Sequence, residues 1–278
     1  MKTKASFPVA GHRLTVSYAG TTFFGWQRQA GHPSIQEEIE KVLTRIWGQH
    51  LTLEGSGRTD TGVHAVGQVA SFTAPRKLSA PVLLRALNDH LPMPIRVTQV
   101  DFLEPTFHAR FDVEAKTYEY RIHNATFSDP FQIDRVWHIP IPLDLAKMEA
   151  AAALLRGKHD FAAMASNAGY ARTTTVRTVS ALDLRKRGAS LTVRITADGF
   201  LYHMVRNIVG ALVKVGKGKL SVEEFRTVFA SGKRTLAPAS APAFGLYLMK
   251  VAYYPRAVRL VRAKNRRPPQ AFDETDDE

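Results

Sequence analysis

The stretch "GSGRTDTGVHAVGQVASF", Gly55 to Phe72, sets a carboxylate, Asp60, two residues after an arginine in a loop marked by Gly55, Gly57 and Gly62. Three roles suit an aspartate in that setting: a turn former, half of an aspartic-protease dyad, whose signature is Asp-Thr-Gly, or a lone anion acting on an electron-poor centre. The dyad needs a second carboxylate to share a proton, one of the two having its pKa raised. This chain has a single Asp-Thr-Gly, and the nearby Arg58 favours the ionised form of Asp60. A plain turn accounts for the glycines but not for Arg58, Thr59 and His64 crowded beside them.

Other chemistries lack their residues. His64, His90, His108, His123, His138, His159 and His203 are scattered, with no His-x-x-x-His and no compact carboxylate cluster, so no metal is expected. "GKGKL" lacks the frame of a phosphate-binding loop, and no nucleotide cofactor is indicated. There is no cysteine, which excludes disulfides and thiolate catalysis.

The 278 residues carry 38 Lys and Arg against 25 Asp and Glu, a formal net charge of +13 that favours polyanionic partners, nucleic acid first. The N-terminal residues lack a continuous apolar run and no stretch has the length of a membrane span, so a cytoplasmic protein without a membrane partner is expected.

The elements that must position Asp60 follow from periodicity. "RLTVSY" alternates as a strand. Ser34, with Glu37 as reciprocal capping-box partner, opens a helix whose Ile35, Ile39, Val42, Leu43 and Ile46 share one face. "HLTLEG" and "GQVASF" read as strands, Pro81 to Leu87 as helix and "IRVTQVDFL" as strand. The second half repeats the order: strand "KTYEYRI", helix Asp144 to Leu155, strands "TVSALDLRK" and "SLTVRITA", helix Leu201 to Lys214 and strand "GLYLMKVAYY", with an extra helix capped at Ser221 before the last strand. The predicted class is α+β. Two ferredoxin-like (RRM-like) βαββαβ subdomains, residues 1–110 and 111–255, join with a cleft between them. "FSDPFQIDRVWHIPIPL" reads as a long surface connection, and residues 256–278 as a charged, mobile tail.

Beyond the loop, "FFGWQRQ", "SIQEEIEKVL", "FHARF", "KTYEYRI", "HDFAAM", "VRTV", "ADGFLYHMVRNIVGALVKVGKGK" and "APAFGLYLMKVAYYP" follow in order. Together with the signature loop they resemble the tRNA pseudouridine synthase A family over about residues 13 to 255. One departure stands out: the family usually has Tyr-Asp-Gly where this chain has Tyr18, Ala19 and Gly20. The resemblance implies that Asp60 is the catalytic nucleophile of a uridine-to-pseudouridine isomerase, by a sugar adduct or by removal of a sugar proton, and that no cofactor is used. It assigns Arg206 to pair with that carboxylate, a role the apolar neighbours Met204, Val205, Ile208 and Val209 favour because an unpaired guanidinium among them would be costly. Tyr118 corresponds to the tyrosine that packs on the target base. Arg58 and the run Phe107, His108, Ala109, Arg110 and Phe111 correspond to the RNA path, although after a strand Phe107 and His108 also suit ordinary packing. Lys77, Arg172 and Arg177 are further candidates for phosphate contacts. The implied substrate is the anticodon stem-loop of tRNA at about positions 38 to 40, a spread that suits recognition of shape, and the implied assembly is a homodimer. The competing reading of charge and fold is a non-catalytic RNA-binding protein on the same scaffold.

Overall fold

The computed structural model describes residues 7–167, 169 and 174–264. The first half runs β1 (Val9–Tyr18), α1 (Ile35–Trp47), β2 (Glu54–Gly55), β3 (His64–Pro75), α2 (Ala80–His90) and β4 (Ile95–Leu103). The second runs β5 (Val113–His123), β6 (Trp137–His138), α3 (Leu145–Ala153), β7 (Gly157–Asp160), β8 (Val176–Arg187), β9 (Ser190–Ala197), α4 (Met204–Gly216), α5 (Val222–Ala230), β10 (Leu246–Tyr253) and α6 (Arg256–Lys264). All strands belong to one mixed sheet in the order β4-β1-β3-β10-β5-β9-β8-β7, with β2 on β3 and β6 on β5. No helix of the described residues is long and apolar enough to cross a membrane.

The α+β class expected from the sequence is therefore met by a single continuous sheet. Its halves meet at β3 and β10, which run parallel and pair only Tyr247 with His64 and Leu248 with Ala65. Alternation fixes the faces: Leu14, Val16 and Tyr18 of β1 are buried while Arg13, Thr15 and Ser17 between them are partly exposed. On α1, Ile35, Ile39, Val42 and Leu43 are buried and Ile46 packs against them, as the three- and four-residue spacing predicts. Ser34 caps this helix by accepting from Glu37 N at 3.3 Å, but Glu37 turns its carboxylate to Lys41 at 3.1 Å instead of closing the capping box. The box at Ser221 and Glu224 is complete in both directions.

Four expectations change. "HLTLEG" is strand only at Glu54–Gly55, because the ladder-forming groups of Leu53 are already used. Its N–H donates to Glu40 Oε1 at 2.9 Å and its carbonyl accepts from Gln36 Nε2 at 3.1 Å, both from the buried face of α1. The connection from Phe127 to Leu143 contains a short 3-10 turn, Pro130–Gln132, and β6, and it buries Ile139 and Leu143. Helix α4 starts at Met204, not Leu201, because His203 takes a left-handed conformation, φ 59°. Residues 256–264 of the tail form α6, docked by Arg259 on Glu104 at 2.9 Å; the remaining tail lies outside the described residues.

His12 exposes a polar ring to an aromatic core. It stacks on Phe72 at 4.5 Å and meets the edges of Trp47 and Phe102 at 5.5 and 5.0 Å. Burial lowers its pKa from 6.5 to about 4, the bond from Nδ1 to Ala10 O opposing and the Arg76 charge assisting that shift. The folded pKa thus lies below the unfolded one, and as pH falls from 6.5 to about 4 the unfolded chain takes up a proton that the folded chain refuses. Over that window wild type should lose up to about 3 kcal/mol relative to His12→Phe, measured as the divergence of their urea-unfolding free energies with pH. Parallel pH profiles for the two proteins would show that the ring is not held neutral.

Candidate active site

Asp60 stands at the seam of the sheet, just before β3 enters it, and the loop that carries it is fastened from several sides. Gln68, fully buried on β3, accepts from Ser56 Oγ at 2.6 Å and donates to Gly57 O at 2.9 Å. Lys116 of β5 donates Nζ to Ser56 O at 2.6 Å, and burial lowers its pKa to about 8. Trp26 N donates to Thr59 O at 3.1 Å, and the Tyr18 hydroxyl bonds Thr59 Oγ1 at 2.8 Å. Gly25 lies so close to the backbone of Thr59 and Asp60, at φ 85°, that any side chain there would collide with it. The turn closes with Val63 N donating to Asp60 O at 3.1 Å.

His64 locks this loop to the second half. Gly20 N–H donates to its Nδ1 at 3.1 Å, so the proton sits on Nε2, which reaches Asp134 O and Phe244 O, each at 3.0 Å. Burial, with the charges of Arg135 and Arg121, lowers its pKa, and the neutral ring stacks on Tyr247 at 4.7 Å. This histidine is therefore a rivet between the halves.

The expected ion pair forms. Arg206, on the first turn of α4, sets Nη1 3.0 Å from Asp60 Oδ2 and donates Nε to Ala241 O at 2.9 Å. One turn on, Gly210 lets the helix pack directly against the backbone of Ala239, next to the Ala241 carbonyl that Arg206 binds. Tyr118 is buried on β5 between Leu248 and Ile195, its ring edge-on to Phe200 at 5.0 Å. Burial pushes its hydroxyl pKa up, and the neighbouring Tyr18 and Asp60 add to that rise. The sequence reading missed His203, whose Nε2 lies 3.3 Å from the same Asp60 Oδ2. Its spacing from Arg206, three residues earlier at the start of an apolar helix, is the signal that was available.

With a guanidinium and an imidazole beside one of its oxygens, Asp60 faces nitrogen groups rather than a second carboxylate, which excludes the protease reading. The remaining site candidates divide by exposure. Arg58, Arg110 and Phe111 are exposed; Phe107 and Ala109 are buried, with Phe107 against Tyr253 at 5.1 Å and Ala109 N bonded to Ser71 Oγ at 2.9 Å. His108 is half-buried and packs on Phe111 at 4.3 Å, with the Arg110 guanidinium 5.6 Å from the Phe111 ring. Lys77 and Arg177 donate to nearby carbonyls, of Trp47 and of Thr174 and Val176, and Arg172 lies outside the described residues.

Comparison with known sequences matches residues 14–112 and 151–254 to the model of the tRNA pseudouridine synthase family. The chain belongs to that family. A tRNA pseudouridine synthase A of Methylacidiphilum infernorum (isolate V4) is 50% identical over 247 residues, 89% of this chain and 97% of its own. Proteins of the same name from Thermoanaerobacter sp. (strain X514) and Thermodesulfovibrio yellowstonii (strain ATCC 51303 / DSM 11347 / YP87) are 42% and 40% identical, over 86% and 87% of this chain and 98% of each relative.

Within this tRNA pseudouridine synthase, the departure at Ala19 now has a physical meaning. Ala19 occupies the N-cap of the 3-10 turn Gly20–Thr22 that precedes the Phe23–Trp26 stretch, and no side chain caps that turn. An aspartate in this place would accept from the turn's free N–H groups. Ala19→Asp should therefore stabilise the protein by about 0.5 to 1 kcal/mol in chemical denaturation, with the loop geometry retained. A neutral or destabilising effect would mean that the lost aspartate had another task.

Proposed function

We propose that the chain isomerises uridine to pseudouridine in tRNA, with Asp60 as the group that meets the sugar. The observation that carries this reading is a partly buried carboxylate held by Arg206, in a chain that belongs to the tRNA pseudouridine synthase family. Isomerisation breaks the C1′–N1 bond, the electron pair leaving on the uracil ring. Turning the base presents C5 to C1′; a new C–C bond forms, the C5 proton is lost and N1 takes one up, so composition is unchanged. The steps need an anion beside an electron-poor carbon and a wall that retains the detached base, but no redox partner. Arg206 orients Asp60, and Tyr118 offers an apolar ring with a hydroxyl that burial keeps protonated.

The target lies in a stem, at about positions 38 to 40 of the anticodon stem-loop in this reading, so it must leave its stack before reacting. Arg58, exposed two residues from Asp60, is suited to fill the vacated space, and Arg110 with Phe111 continues a cationic and aromatic path, His108 beside them. In this account Phe107 and Ala109 serve the path by anchoring its turn.

We further infer that the halves, 1–110 and 111–255, are ferredoxin-like subdomains flanking the cleft. Strand order supports it: β4-β1-β3-β2 in the first and β10-β5-β9-β8 in the second are the same permutation. A homodimer with one tRNA spanning both subunits is supported by Phe127, Phe131 and Ile133, at 82%, 95% and 67% exposure a large apolar presence on one connection. A cytoplasmic site of action follows from the substrate.

The decisive experiment is Asp60→Asn assayed on unmodified tRNA by site-resolved pseudouridine mapping. Product formation should fall by roughly 10³-fold or more while tRNA affinity stays close to wild type. Turnover by the variant would remove Asp60 from the reaction; a wild-type protein that binds tRNA without forming product would be the RNA-binding alternative.

A further inference from the structure

Asp60 is held asymmetrically. Oδ2 receives Arg206 Nη1 at 3.0 Å and lies 3.3 Å from His203 Nε2, whereas Oδ1 has no hydrogen bond among the described residues. We propose that His203 is a positioning residue: it fixes Oδ2 together with Arg206 and so commits Oδ1 as the oxygen that approaches the sugar. This rests on the reading of Asp60 given above, and it holds for either route, whether that oxygen bonds C1′ or takes a sugar proton.

Behind His203 stand Asn207 and Ser166. Asn207 Oδ1 accepts from Arg234 Nη2 at 3.0 Å, and Asn207 Nδ2 donates to Met164 O at 2.9 Å, which fixes the amide orientation. The same Nδ2 donates to Ser166 Oγ at 3.3 Å. His203 Nδ1 lies 3.2 Å from the same Ser166 Oγ. A carboxylate oxygen can only accept, so Nε2, the ring nitrogen that faces it, is the one that bears the proton in the neutral ring. A neutral ring is enough for this task. Burial lowers the pKa of His203, the charges of Arg206 and Arg234 work in the same direction, and Asp60 opposes them.

The backbone supports the same assignment. His203 sits at the N-cap of α4 with φ 59° and ψ 5°, and its side chain gives no cap to the helix it precedes. A non-glycine residue in this region needs a compensating role. Here the left-handed turn aims the ring back across the cleft, one turn of chain from Arg206.

The test is single-turnover pseudouridine formation and tRNA affinity for His203→Ala, His203→Gln, His203→Asn and Asp60→Asn, each checked for thermal stability. His203→Ala should slow the chemical step by roughly 10- to 100-fold with tRNA affinity within about twofold of wild type. Gln places an amide nitrogen as many bonds from Cβ as histidine Nε2 and should restore most of the rate. Asn is one bond short and should not, although it tolerates the left-handed backbone well. A purely structural role would reverse that order, making Asn equal to or better than Gln. That result, or an unchanged rate in His203→Ala, overturns the proposal. If His203→Ala does not fold, Ser166→Ala and Ser166→Thr carry the same test: the first should slow the step several-fold and the second restore it, and equal rates for both overturn it. Activity in Asp60→Asn would instead overturn the underlying reading, so the two failures are distinct.

Discussion

The ion pair between Asp60 and Arg206 joins the halves of the molecule across the seam of the sheet. Neither group is comfortable alone: the side chains retain 23% and 16% of their exposure, too little water to solvate a full charge cheaply. Partly buried pairs of this kind contribute little net stability, since desolvation offsets most of the attraction. Their effect is one of geometry. A carboxylate from a loop of the first half and a guanidinium from a helix of the second reach each other only if both are delivered accurately, and much of the surrounding structure serves that delivery.

Buried polar groups do most of this work. Gln68 holds the strand-side end of the loop, the Tyr18 hydroxyl holds Thr59 beside Asp60, and the neutral ring of His64 spans from Gly20 to the carbonyls of Asp134 and Phe244. Hydrogen bonds have direction where apolar contacts have none, so each such residue restricts the loop to one arrangement. Gln36 and Glu40 act similarly further out, occupying the backbone of Leu53 from the buried face of α1. The apolar core supplies cohesion, and the polar set decides where the carboxylate stands.

Sequence pattern made most of this framework legible and left the finest part of the site unread. Strands β4 and β9 have the bounds that "IRVTQVDFL" and "SLTVRITA" predict, because alternation ends at turn residues on both sides. The "HLTLEG" segment alternates as well, yet side chains distant in sequence claim its backbone, and no local pattern records that. Arg206 was legible because the family resemblance assigned it to the carboxylate, and its apolar helix neighbours favour a paired cation. His203 was not, since its direction depends on a left-handed turn and on Ser166 and Asn207, which come together only in the folded chain. The run Phe107 to Phe111 was readable as a group, but its division into anchors and exposed side chains needed the turn itself.

The narrow junction of the sheet has a mechanical corollary. Elsewhere β1 and β3, or β5 and β9, are bound along most of their length, whereas β3 and β10 share two paired positions. Side chains close what the backbone leaves open along that line, His64 stacking on Tyr247 and bonding the carbonyls of Asp134 and Phe244 across it. Asp60 and Arg206 are mounted on opposite banks. The spacing of these two groups is therefore set by the side chains that bridge the seam as much as by its two backbone pairings.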